Sequence, residues 1–169
     1  MRLFIAVQLN KYLRGALQDM QDAMREQGVQ GNFTRTDNLH ITLAFIGEYS
    51  DPSAVLDAIS GVDFEPFDIR LEGLGAFGDL WWAGVGTGSD ELKALASKIR
   101  HKLSEAGIPF DRKRFSPHIT LLRRARFTDD FAPYEEDCAT WRMPYLTVER
   151  ISLMRSDRTK HGMVYTEIR

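Results

Sequence analysis

Leu39-His40-Ile41-Thr42-Leu43-Ala44-Phe45 and Pro117-His118-Ile119-Thr120-Leu121-Leu122-Arg123 are two versions of one pattern. Each is a short apolar run broken at alternate positions by a His and a Thr. The alternation and the β-branched content predict a strand. Side chains two apart on a strand share a face, so each copy sets an imidazole beside a hydroxyl and turns Ile and Leu to a core. A single His-x-Thr strand is explained well enough by a buried His bonded to backbone. An identical His-Ile-Thr-Leu in both places is not, because a structural His rarely needs the same neighbouring hydroxyl twice.

The duplication extends beyond the motif. His118 follows His40 by 78 residues, and Trp81 follows Leu3 by the same 78. Each half reads as strand, helix, His-Thr strand, further strand, with no linker between them. The expectation is a single domain, 1–169, of two lobes at approximately 1–78 and 79–169. The fold class is α+β: two pseudo-symmetric lobes of antiparallel sheet, helices packed outside, and a central cleft where the polar faces of the two His-Thr strands meet.

Around the motifs, Leu3–Leu9 predicts a buried strand. Asn10 caps a helix carrying Leu13, Leu17, Met20 and Met24, which Gly28 closes. A polar loop leads to the first motif. Asp51-Pro52 starts a short helix with Val55, Leu56 and Ile59 on one stripe. Phe67, Ile69 and Leu71 alternate as a strand, and Gly73, Gly75 and Gly78 read as a turn region. Trp81–Val85 is a strand with at least one Trp in the core. Asp90 is the expected cap of a second long helix, which ends at Gly107. Tyr145–Met154 reads as one long strand, and Ser156–Gly162 as a polar tip before a last strand, Met163–Ile168.

Composition excludes several classes. Cys138 is the only cysteine, so no intramolecular disulfide framework or multi-cysteine metal site exists. No apolar run approaches the ~20 residues of a membrane span. Gln8, Asn10 and Lys11 interrupt the opening run too early for a signal peptide. The expected location is cytoplasmic. The net charge of -2 gives no global signal for duplex nucleic acid. Locally, Arg112, Lys113, Arg114, Arg123, Arg124 and Arg126 crowd the second motif, and an acidic run from Asp129 to Asp137 follows. His101, among charged helix neighbours, and His161, in a polar turn, are surface residues on this reading.

Two imidazoles facing one cavity form an acid and base pair near neutral pH. Two hydroxyls donate to phosphoryl oxygens, and an Arg neutralises charge developing on phosphorus. This set suits attack on a phosphodiester with no metal and no cofactor. A catalytic zinc needs three protein ligands, and no third candidate stands near the two His in the sequence.

At these residues the sequence resembles the 2H phosphoesterase superfamily, and within it the RNA 2′,3′-cyclic phosphodiesterases, also called 2′-5′ RNA ligases. The resemblance spans the chain: Arg2–Val7, His40–Leu43, Trp82-x-Gly84-Val85, His118–Leu121, Met154-Arg155-Ser156 and Gly162-x-x-Tyr165. It implies metal-free opening of a 2′,3′-cyclic phosphate at the end of an RNA, single-stranded or a tRNA fragment, to leave a 2′-phosphate. Joining of RNA ends through a 2′-5′ bond is the family's second activity. The implied roles are His40 as general acid for the leaving 3′ oxygen and His118 as general base for water. Thr42 and Thr120 would hold the phosphate, and Phe45 and Arg123 would flank the terminal base. A monomer is expected. Leu122 and Asp79 depart from the family pattern. Phe45 and Arg123 stand five residues after their His, and a regular pleat turns such positions away, so each strand is expected to bulge, twist or end there. Two other readings are an RNA-end binding module without turnover, and an enzyme for another cyclic phosphate or a 2′-5′ oligonucleotide.

Overall fold

The computed structural model describes residues 1–127 and 143–169. The acidic run Asp129–Asp137 and Cys138 lie outside the described residues. The elements are β1 (Arg2–Gln8), α1 (Lys11–Glu26), β2 (Gln30–Phe33), a 3₁₀ turn (Thr36–Asn38) and β3 (His40–Glu48). They continue with α2 (Pro52–Ser60), β4 (Phe67–Ile69), β5 (Leu71–Phe77), β6 (Leu80–Val85) and α3 (Ser89–Glu105). The last are β7 (His118–Arg126), β8 (Leu146–Val148), β9 (Ser152–Thr159) and β10 (Gly162–Ile168).

The strands form two four-stranded sheets, in the orders β10-β9-β1-β3 and β2-β7-β6-β5, and a two-stranded ribbon β4-β8. All pairings are antiparallel. The arrangement is the expected α+β one, with one His-Thr strand in each sheet. The sheets interleave the two halves of the chain. The first takes β9 and β10 from the far end of the sequence, and the second takes β2 from near its start. The helices cross as well. α3 packs against β3, and α2 against α3. On α1, the Gln21 amide donates to Thr34 O and Leu121 O at 2.9 Å each, which ties α1 to the sheet of β7.

Local chemistry explains most boundaries. The Asn10 side chain accepts from the Leu13 N–H at 2.9 Å, and Asp51 from the Ala54 N–H at 3.2 Å, so both helices start at side-chain caps. Asp90 is not a cap. α3 begins one residue earlier, behind Gly88, whose φ of 84° is left-handed. A Cβ there would press on Ile69 and the Asp68 carbonyl, so glycine serves close packing as well as conformation.

Five further expectations are corrected. Phe67–Leu71 is not one strand, because β4 ends at Ile69 and β5 starts at Leu71 in another sheet. Gly73 and Gly75 lie inside β5, and only Gly78 sits in the hairpin turn. Tyr145–Met154 divides into β8 and β9, which serve different sheets. The polar residues Ser156–Thr159 continue β9, since each pairs with β10. The polar loop before the first motif also contains β2 and the 3₁₀ turn.

Gly75 is glycine because of Trp82. A Cβ at position 75 would run into the indole ring, which lies across it from the paired position of β6. Gly75→Ala should cost about 1–3 kcal/mol, the usual penalty of overpacking. The loss should shrink in a Trp82→Leu background. Thermal melts of the four variants measure this, and equal losses in both backgrounds would mean that the indole is not what the glycine accommodates.

Candidate active site

The two His-Thr strands carry matching defects. Along β3, Ile5 lies opposite Ala44 and Ala6 opposite Thr42, so Leu43 is an extra residue. Along β7, Trp81 lies opposite Leu122 and Trp82 opposite Thr120, so Leu121 is extra. Leu43 and Leu121 are themselves 78 apart. Each bulge puts two buried residues in succession, Leu43-Ala44 and Leu121-Leu122, and so reverses the alternation beyond it. Phe45 and Arg123 thereby return to the face of His40 and His118. The carbonyl of the bulged Leu121 accepts from the Thr34 N–H at 2.9 Å and from Gln21. Leu122 finds its room at Gly31, where a Cβ would come within 3.0 Å of the leucine side chain.

A cleft of about 740 Å³ opens between the two sheets. His40, Thr42, Phe45, His118, Thr120 and Arg123 all line it, so the structure brings together the whole set read from the sequence. Of the six cations crowding the second motif, Arg123 alone lines the cleft. Arg112 lies over the Phe110 ring at 4.7 Å. His101 is exposed and pairs with Glu105 at 2.6 Å. His161 is exposed in the β9–β10 turn. Among the described residues no three His, Cys, Asp or Glu side chains are grouped to hold a metal ion.

Both imidazoles are held the same way. His40 Nδ1 lies 2.6 Å from Asn38 O, and His118 Nδ1 lies 2.7 Å from Ser116 O. A carbonyl only accepts, so each Nδ1 carries its hydrogen and each neutral ring keeps its lone pair on Nε2. At His40 that lone pair accepts from the Thr42 hydroxyl at 2.8 Å.

Several residues that support this geometry had no role in the site assigned from the sequence. Asn38 is buried, and its side chain donates to Met163 O at 2.9 Å, so the turn that holds His40 is fastened to β10. Arg14 donates to Leu9 O at 3.0 Å and to Asp37 O at 3.2 Å, securing the same turn from α1. Phe4 and Tyr165 enclose the His40 ring at 4.9 and 5.3 Å, and Trp82 and Phe77 flank His118 at 6.1 and 5.7 Å. Phe4 and Trp82 stand 78 apart, so the repeat interval that relates the histidines was the available signal. Gln21 had one too, as an amide between Leu17 and Met24 on the apolar stripe of α1. On the other side of the cleft, Arg2 lies over the Phe45 ring at 4.8 Å, and the Asp111 N–H donates to Phe45 O at 2.8 Å.

Burial is the largest influence on His40 and lowers its pKa below the ordinary 6.5. The bond to the Asn38 carbonyl acts in the opposite sense. His118, Arg123 and Arg14 lower the pKa further by charge repulsion. His40 therefore favours its neutral form.

A model of the 2′-5′ RNA ligase superfamily matches residues 13–160. The RNA 2′,3′-cyclic phosphodiesterase of Aeropyrum pernix is 32% identical, across 89% of this chain and 91% of that one. The protein of that name from Escherichia coli is also 32% identical, across 73% and 72%. Among solved structures, E. coli LigT in apo form superposes with a TM-score of 0.81 at 25% identity, covering 99% of this chain and 94% of that one. TT0787 of Thermus thermophilus superposes with a TM-score of 0.75 at 30% identity, covering 100% and 96%.

Acid should act on the fold through His40. Its folded pKa is below the unfolded one, so the unfolded chain binds more protons as pH falls below about 6.5, and stability drops at up to about 1.4 kcal/mol per pH unit. His40→Asn lacks this contribution. Denaturant melts from pH 7.5 to 5 should therefore show the stability of wild type falling relative to His40→Asn. A constant difference between the two would refute the burial of a neutral imidazole.

Proposed function

The chain belongs to the 2′-5′ RNA ligase superfamily, and from that premise we propose that it opens RNA 2′,3′-cyclic phosphates to 2′-phosphates by a two-histidine acid and base mechanism, with reversible 2′-5′ joining as its second reaction. The observation that carries the reading is the shared setting of His40 and His118: both Nδ1 atoms face a carbonyl, and both rings line one cleft with two threonines and Arg123. A binding module would need no such pair of imidazoles in matching tautomers. The substrates proposed are single-stranded RNA ends or tRNA fragments carrying the cyclic phosphate. The name of the A. pernix relative and the 3′-AMP found in a complex of E. coli LigT support a nucleotide substrate.

The cyclic phosphate sits between the two strands, held by the Thr42 and Thr120 hydroxyls, with Arg123 offsetting the charge that develops on phosphorus. His118 Nε2 takes a proton from water as the water oxygen attacks phosphorus. The bond from phosphorus to the 3′ oxygen breaks, and His40 Nε2 gives that oxygen its proton. His40 favours the neutral ring before substrate arrives. An anion beside it offsets the repulsion from His118, Arg123 and Arg14, so His40 takes up its proton together with the substrate. On this reading the hydroxyls and Arg123 supply the charge stabilisation at phosphorus. Phe45, with Arg2 over its ring, stacks the terminal base.

The test is turnover of cyclic-phosphate oligonucleotides in excess chelator. Activity should persist, and His40→Ala and His118→Ala should each lose about 10²–10⁴ in rate. Near-normal turnover by folded His118→Ala would end the acid and base assignment. An aryl phosphodiester, whose leaving oxygen needs no proton, should rescue His40→Ala and not His118→Ala, and the reverse pattern exchanges their roles.

Phe45→Ala should raise the Michaelis constant by the value of one stacked base, about 1–3 kcal/mol, with little change in melting temperature. A large melting drop with unchanged Michaelis constant would make Phe45 a packing residue instead.

A further inference from the structure

The surroundings of His118 hold more aromatic surface than the opening of a cyclic phosphate by water requires. Phe77, at the end of β5, is 53% exposed. Its ring meets Trp82 at 5.1 Å and 39° and stands edge-on to His118 at 5.7 Å and 86°. Beneath it, the indole of Trp82 lies across Gly75 and against Gly84, where side chains would displace it. The two glycines leave room for the indole, and the tilted outer ring of the pair faces solvent. Phe77 and Trp82 are not among the residues lining the cleft. The pair therefore adjoins the site on the side of His118, away from the Phe45 position.

We infer that Phe77, backed by Trp82, is a stacking shelf for the first nucleobase of an RNA strand whose 5′-hydroxyl replaces water in 2′-5′ joining. The inference rests on the reading of His118 as the base. In-line displacement at phosphorus puts the attacking and leaving oxygens on opposite sides, so the incoming oxygen lies toward His118 and the departing 3′ oxygen toward His40. Joining balances as hydrolysis does. The 5′-oxygen forms a bond to phosphorus and gives its proton to His118. The bond from phosphorus to the 3′ oxygen breaks, and His40 protonates that oxygen, leaving a 2′-5′ phosphodiester and a free 3′-hydroxyl. Water brings nothing with it, whereas a 5′-oxygen brings a ribose and a base within reach of the rings beside His118. Base stacking on an aromatic ring is tolerant of sequence, so the shelf selects for the presence of a base and not its identity.

The experiment offers a cyclic-phosphate oligonucleotide together with a 5′-hydroxyl oligonucleotide and measures the ratio of joined product to 2′-phosphate. Only molecules that turn over enter the ratio, so partial unfolding or weakened His118 chemistry cancels. Phe77→Ala should lower the ratio about tenfold, within the range of one base stack, and Phe77→Tyr should keep it. An acceptor with an abasic first residue should give the low ratio in all three proteins. The shelf is overturned if Phe77→Ala keeps the wild-type ratio, if wild type does not distinguish the abasic acceptor, or if wild type hydrolyses without joining. Absence of hydrolysis as well would instead overturn the reaction proposed for the site.

Discussion

The site depends on one surplus residue in each of two strands. A regular strand alternates strictly, so the face that carries His40 and Thr42 should also carry Ala44 and not Phe45. Leu43 and Leu121 interrupt that rule at the same place in each copy. The two His and two Thr keep their pleat, and the next side chain outward is returned to the cleft. The extra backbone is costly unless its polar groups are satisfied, and in β7 the carbonyl of Leu121 has two donors, one of them from a helix. Gln21 is buried at 2% exposure for this reason, and it couples the position of α1 to the shape of the active strand.

Similar backbone settings yield histidines with different surroundings. A carbonyl two residues upstream fixes each tautomer and presents each Nε2. His40 is then enclosed by Phe4 and Tyr165, bonded to Thr42 and approached by Arg14, whereas His118 packs beside the contacting pair Phe77 and Trp82. Symmetry of the chain supplies two equivalent groups, and departures from it allow them different tasks. An acid and a base must hold different protonation states at one pH, which two identical environments would not favour.

The pair of His-Thr strands, the caps at Asn10 and Asp51 and the apolar stripes of the helices were legible because each has a local period or a local partner. The bulges were half legible. Offset five conflicts with the pleat, and the doublets Leu43-Ala44 and Leu121-Leu122 are where the conflict resolves. Strand partners were not legible, since pairing β1 with β9 leaves no local trace in either. Gly75 misled for a related reason: it makes room for a ring on the neighbouring strand, which a single strand read alone does not reveal. Tyr145–Met154 misled because its apolar residues continue while the chain passes from one sheet to another across Glu149-Arg150. Phe4, Tyr165 and Asn38 act through contacts in and beside the first sheet, between segments that lie far apart in sequence, and their roles were hidden in the same way.

The interleaving of the sheets also orders events in time. β1 cannot complete its ladder until β9 is available, and Arg2 pairs with Ser156 across nearly the whole chain. Contacts between such distant residues form late and slow folding. During synthesis, the first histidine strand would emerge early and wait beside an open edge of β1 while some hundred further residues are added. Tyr165, which closes over His40, belongs to the last strand. An early half cannot therefore possess a finished His40 pocket, and the growing chain has no complete cleft to expose until β9 and β10 have joined the first sheet.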